Sequence, residues 1–160
     1  MGDNFSIHPH VGRKTPAKGV HFSPTTTNMI WVTVCTTNRE PWLTQHIVLE
    51  HLEVIWLHEA TTWLVSDYLL MPDHMHFFCA SSDLNVTIEK WIGFWKSRFS
   101  TEIKNPAWRF QSGGFHHRIR SGTEYPEKWN YMMQNPIRKN LVDRIEDWPW
   151  KGRIHDIRWE

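Results

Sequence analysis

Hydrophobic and polar positions along the chain alternate between two periods, and the switches between them outline the elements. Residues 28–37, NMIWVTVCTT, concentrate β-branched and aromatic types and predict a strand. From about Thr44, a candidate N-cap, to about Thr61, the residues Ile47, Leu49, Leu52, Ile55 and Trp56 recur at mostly helical spacing. Two short apolar runs follow, TWLVSDYLLM (62–71) and HMHFFCA (74–80). They are separated by Pro72-Asp73, which reads as a tight hairpin. A second helix is predicted over about Asn85 to Lys104, with Ile88, Trp91, Ile92, Trp95 and Phe99 on one side and Lys90, Lys96 and Arg98 on the other.

Residues 108–120, WRFQSGGFHHRIR, predict an irregular segment containing a strand and opened by Gly113-Gly114. A third helix is expected from about Thr123, its candidate N-cap, to Gln134, with Glu127 near its first turn and Pro136 ending or disturbing it. Residues 1–27 lack periodicity and read as an extended arm; 28–150 form the main domain and 151–160 a C-terminal tail. The resulting order, β-α-β-β-α-β-α, points to the α+β class. It suggests a ferredoxin-like or RRM-like antiparallel sheet with helices packed on one face.

Composition narrows the setting. One domain of 160 residues with 40% hydrophobic content can build a core, and the apolar runs fall far short of the roughly 20 residues of a membrane span. The N-terminus has no apolar stretch resembling a secretory signal, and Cys35 and Cys79 are too few for a disulfide framework or a four-cysteine zinc site. Both read as small buried hydrophobes, and a cytoplasmic location is expected. The net charge of +1 hides an asymmetry: residues 1–40 balance to +2, 41–90 to −6 and 91–160 to +5. A local positive field of this kind suits a polyanion even on a nearly neutral chain, although an unevenly solvated surface gives the same sums.

Chemistry concentrates in two stretches. In MPDHMHFF, His74 and His76 are two apart on a predicted strand, so they share a face and sit about 7 Å apart along the backbone. Such a pair either converges on a metal ion or is a structural pair; no HExxH or HxHxD pattern follows. In WNYMMQNPIRKNLV, Tyr131 and Asn135 are at i and i+4 of a predicted helix and share its face. They combine a nucleophile with a neutral oxygen ligand, or else a core tyrosine with a helix C-cap before proline.

Taken together, MPDHMH, FQSGGFHHRIRSGTEY, YMMQNPIRKNLV and the closing DWPW resemble the single-tyrosine HUH transposases, the insertion-sequence-200-like proteins. The branch most similar is that of the REP-associated tyrosine transposases, and the resemblance runs from about residue 28 to 150. It implies a ferredoxin-like catalytic domain that cleaves and rejoins single-stranded, hairpin-containing DNA through a 5′-phosphotyrosine, using Mg²⁺ or Mn²⁺. It also implies residue roles: His74, His76 and Asn135 as metal ligands and Tyr131 as nucleophile. Tyr125 is the reserve nucleophile and Tyr68 a core residue. Where relatives often carry an acidic or other polar residue, this chain has His117.

Single-stranded or hairpin DNA is the expected partner. Arg13, Lys14 and Lys18 of the arm, and Lys96, Arg98, Arg118 and Arg120 of the basic third, are the candidate DNA contacts, with Trp108 as a possible base-stacking platform. No membrane partner is expected, and a homodimer that exchanges the tyrosine helix and a monomer stand as equal alternatives. The rival readings are a non-catalytic nucleic-acid-binding module on the same fold and a metal-dependent phosphodiesterase that uses water.

Overall fold

The structure, a computed structural model, describes residues 21–22, 29–83 and 85–159. In chain order the elements are β1 (His21–Phe22), β2 (Met29–Cys35), α1 (His46–Val54), β3 (Trp63–Leu70), β4 (His74–Ser81), α2 (Ile88–Ile103), β5 (Phe115–Arg118), α3 (Glu124–Arg138), β6 (Lys151–Arg153) and β7 (Arg158–Trp159). Five strands form one sheet in the order β5-β2-β4-β3-β6, every neighbouring pair antiparallel. β1 and β7 pair with each other in parallel. With β4 inserted between β2 and β3, the first four strands of the sheet form the split β-α-β arrangement of ferredoxin-like folds. No described helix is long and apolar enough to cross a membrane.

The alternating pattern of the strands creates two cores. Ile30, Val32 and Val34 of β2, with Met75, Phe77 and Cys79 of β4, face α1 and α2, where Trp56, Trp91, Trp95 and Phe99 are buried against them. This accounts for much of the tryptophan content, since each such ring buries roughly 150–250 Å². On the other face Met29, Trp31, Phe78 and Ala80 meet Tyr125, Met132 and Met133 of α3. The expectation of helices on one face is therefore met by α1 and α2, while α3 covers the opposite face. The reason is sequence economy: both faces of β2 and β4 are apolar, so each needs a cover.

Helix boundaries shift from the expected ones for identifiable causes. α1 begins after Gln45, not Thr44, and continues directly into a wider π-helical turn, Ile55–Glu59, which carries Trp56 and is closed by the Ala60 amide donating to the Ile55 carbonyl. α2 starts at Ile88 because Thr87 caps it, its Oγ1 accepting from the Lys90 amide at 3.3 Å. α3 does not stop before Pro136 but continues to Arg138. Pro136 lies in the last turn, where it forfeits one helical bond, while the Lys139 amide still reaches the Asn135 carbonyl at 3.1 Å and the Leu141 amide reaches the Pro136 carbonyl at 2.9 Å.

Two buried polar arrangements fix the sheet. β3 carries a bulge between Val65 and Tyr68, and Asp67 within it binds Arg153 of β6 through Nε at 3.0 Å and Nη2 at 3.2 Å. The Tyr125 hydroxyl, at the start of α3, donates to the same carboxylate at 3.1 Å. Tyr68, on the opposite face, lies over Gly152, where an added Cβ would come within 2.7 Å of its hydroxyl, so β6 can approach β3 only with glycine there. As expected, Tyr68 belongs to the core.

Candidate active site

The β2–β4 register sets His76 directly across from Thr33, and His74 across from Cys35. Both histidines point to the face covered by α3 and are buried. Their ring centroids are 4.9 Å apart, and Trp31 stacks on His76 at 4.7 Å with an interplanar angle of 16°. From above, α3 sets the Tyr131 ring edge-on to His76 at 6.0 Å and to Trp31 at 6.5 Å. Tyr131 remains 49% exposed, whereas Asn135, one turn later on the same helix, is 5% exposed. Sheet and helix thus bring Tyr131 to His76, which adjoins His74, while Asn135 is buried one turn further along α3.

Each imidazole has its Nδ1 engaged. The Thr33 hydroxyl lies 2.8 Å from His76 Nδ1, and Asp73 Oδ1 lies 2.8 Å from His74 Nδ1. That leaves Nε2 of each ring as the nitrogen with no hydrogen bond to a described residue. Asp73 is in turn held by Arg39, whose Nε donates to Oδ2 at 2.9 Å. Burial pushes the Asp73 carboxyl up, but the bonds from His74 and Arg39 outweigh it and hold it below the usual range. Burial lowers His74 despite its bond to Asp73. His76 falls to about 3, through burial first and then the charges of His74, Arg138 and Arg39. Both rings are consequently neutral at pH 7, the state in which an imidazole nitrogen can ligate.

The helical side of the site holds a residue the sequence reading did not single out. Arg138 stands over the Tyr131 ring, with Cζ 4.3 Å from its centroid, and donates from Nη2 to Asn135 Oδ1 and to the Tyr131 carbonyl, both at 3.2 Å. Asn135 Nδ2 is buried with no partner. Thr33, Asp73 and Arg39 were likewise unsuspected. Thr33 becomes relevant only once the β2–β4 register is known, and Asp73 reads from sequence as a turn residue. Arg138 had a legible signal, its i+3 spacing from Asn135, which was hidden by the expectation that the helix ends at Pro136.

The reserve nucleophile is a different matter. Tyr125 is 3% exposed, bonded to Asp67 and stacked on Phe78 at 4.0 Å, so burial drives its hydroxyl pKa well up and no substrate can reach it. The structure corrects that expectation. His117 is bonded to Glu124, whose other oxygen accepts the Arg120 amide at 2.7 Å, tying the end of β5 to the start of α3. His116 faces the other side and bonds Glu89 of α2 at 3.0 Å.

The candidate DNA contacts are not gathered around these residues. Lys96, on α2 across the sheet, donates to the carbonyls of Gln111 (2.8 Å) and Gly113 in a cleft of about 440 Å³, and burial lowers its pKa to about 8. Arg98 is paired with Glu59 at 3.2 Å and Glu102 at 2.7 Å. Arg118 and Arg120 are exposed at and just beyond β5. Arg13, Lys14 and Lys18 lie outside the described residues. Trp108 stacks on Trp42 at 5.8 Å and packs against the core, which removes that ring face from base stacking.

The side chains with free donor atoms on this face that could hold a divalent ion are His74 and His76, through Nε2, and Asn135, through its amide oxygen. Among the described residues no three His, Cys, Asp or Glu side chains converge on a common point, so no all-anionic or all-imidazole set competes. The donor chemistry fits: two neutral imidazoles oriented through Nδ1, and an amide oxygen that accepts from Arg138 with one lone pair and keeps a second.

No protein-family model matches the sequence, and no curated protein matches it significantly. Solved structures do. A REP-associated tyrosine transposase bound to a REP hairpin superposes with a TM-score of 0.67 over 86% of this chain and 82% of its own, at 18% identity. A second structure, from Deinococcus radiodurans, reaches a TM-score of only 0.47 at 13% identity, covering 74% of this chain and 95% of its own. This chain therefore shares the fold of that REP-associated tyrosine transposase.

Proposed function

We propose that this protein is a metal-dependent DNA transposase or endonuclease that cuts and rejoins single-stranded, hairpin-containing DNA through Tyr131. The observation that carries the reading is the meeting of an exposed phenol on α3 with two buried, neutral, Nδ1-anchored histidines on β4, at 6.0 Å between the Tyr131 and His76 rings. The solved transposase of the same fold holds a REP hairpin, which supports hairpin DNA as the substrate class.

Tyr131 Oη attacks a backbone phosphorus. The P–O3′ bond breaks as the P–Oη bond forms, giving a 5′-phosphotyrosine; the phenol proton is lost to solvent and the leaving 3′ oxygen gains one. Attack by a 3′-OH on the phosphotyrosine reverses the bookkeeping and releases the phenol, so strand transfer needs no external energy source. When bound by His74, His76 and Asn135, Mg²⁺ or Mn²⁺ supplies Lewis acidity to a nonbridging phosphate oxygen. The role of Thr33 is to accept from His76 Nδ1–H, which fixes the tautomer that leaves Nε2 unprotonated. Asp73, oriented by Arg39, does the same for His74.

Labelled single-stranded hairpin oligonucleotides with Mn²⁺ or Mg²⁺ are expected to yield a denaturation-resistant protein–DNA adduct. Chelation should remove it, and so should His76→Ala. Binding with neither adduct nor cleavage would instead identify a non-catalytic binding module, and cleavage without an adduct a water-using phosphodiesterase. Thr33→Val, which suits a strand but cannot accept from Nδ1, should weaken Mn²⁺ binding by about 10–100-fold in a titration of free Mn²⁺. Unchanged affinity would remove Thr33 from this account.

A further inference from the structure

Asn135 Oδ1, the oxygen that the metal reading requires, is already in use. The Arg138 guanidinium donates to it at 3.2 Å while lying 4.3 Å from the centre of the Tyr131 ring. It also donates to the Tyr131 carbonyl at 3.2 Å, so three contacts hold it over one turn of α3. An amide oxygen has two lone pairs, and in principle accepts both partners. Charge is the obstacle. A dication bonded to Oδ1 sits about 2 Å from it, which sets two cations within about 5 Å of each other in a partly buried site of reduced dielectric. Nothing on the described surface of the site offsets this: the carboxylate nearest the histidines, Asp73, is occupied by Arg39 and His74.

We propose that Arg138 is a positioning residue that makes metal binding conditional on the DNA phosphate. The inference rests on the metal site proposed above. In the free protein the guanidinium holds Asn135 and the Tyr131 turn in place and disfavours a divalent ion at Oδ1. When a phosphodiester enters, its anionic oxygens face both cations, their mutual repulsion is offset, and the same guanidinium turns from competitor to phosphate contact. Metal and DNA then bind with positive coupling, and by linkage each raises the affinity of the other by the same factor. The unpartnered Asn135 Nδ2 is consistent with an amide whose resting arrangement serves Arg138 at its own expense. Because Arg138 is exposed at the end of α3, its replacement leaves the core intact.

The test is Mn²⁺ binding to the purified full chain, read as free Mn²⁺ by electron paramagnetic resonance, without DNA. Arg138→Ala should bind Mn²⁺ about tenfold more tightly than the parent. Arg138→Lys, which keeps the charge, should stay within about threefold of it. In the non-cleaving Tyr131→Phe background, adding an oligothymidylate 20-mer should tighten Mn²⁺ binding, and Arg138→Ala should abolish most of that gain. Unchanged or weaker binding in Arg138→Ala, with the parent still losing Mn²⁺ on His76→Ala, overturns this inference alone. An equal gain in the Ala and Lys variants overturns its electrostatic basis. Mn²⁺ binding indifferent to His76→Ala defeats the metal site itself and this inference with it.

Discussion

Tyr131→Phe should reduce adduct formation and DNA cleavage to background, a loss of at least about a thousandfold, while DNA binding changes little. The expectation follows from how little else the hydroxyl does. The ring is half exposed, packs edge-on to His76 and Trp31, and carries Arg138 on its face, all of which phenylalanine preserves. No described residue bonds its oxygen, so removing it orphans no buried partner. The whole effect therefore falls on chemistry, as is usual for loss of a nucleophile. The other two tyrosines cannot substitute, since Tyr125 and Tyr68 are both buried in the cores that flank the sheet. Retained cleavage in Tyr131→Phe, scored on a denaturing gel with Mn²⁺ affinity as a folding control, would mean that water or another group attacks.

Asp67→Ala is expected to destabilise the fold strongly, by about 3–5 kcal/mol in urea or guanidinium unfolding. The carboxylate is buried in the β3 bulge and accepts from Arg153 and Tyr125 together. Its loss takes the carboxylate from Nε and Nη2 of the buried Arg153, which keeps Asp156 at Nη1 at 3.3 Å, and removes an acceptor from the buried Tyr125 phenol. The effect reaches the site, because Tyr125 is in the first turn of α3 and Tyr131 lies further along the same helix. Asp67→Asn, which keeps the shape and part of the bonding, should cost less. A change below about 1 kcal/mol for Asp67→Ala would show that the network is merely tolerated. Even the lower end of the expected range is a large share of the 5–15 kcal/mol that typically separates folded from unfolded domains.

What was legible in the sequence was mostly local. The strand of 28–37, the hairpin around Pro72-Asp73 and the apolar face of α2 carried period and turn chemistry strong enough to place them, and their order gave the fold class. The pairing of His74 with His76 followed from strand period alone. Tyr131 with Asn135 followed from helical spacing. What escaped was whatever depends on partners distant in sequence. Thr33 meets His76 across 43 positions, and Asp67 meets Arg153 across 86, through registers that no local pattern encodes. α3 crosses to the second face because both faces of β2 and β4 are apolar, a fact visible in the strands but not in the helix. Arg138 was lost to a local rule applied too strictly: a proline in the last turn removes one bond without ending the helix.

The proposed function stands or falls on the covalent joining of Tyr131 to DNA. Its most direct test is mass-spectrometric mapping of the adduct after Mn²⁺-supported reaction with single-stranded hairpin oligonucleotides, nuclease trimming and proteolysis. The expected result is a nucleotide linked through its 5′ phosphate to Tyr131, lost in Tyr131→Phe and in chelator. Attachment to any other residue, or cleaved DNA with no modified peptide, would contradict it.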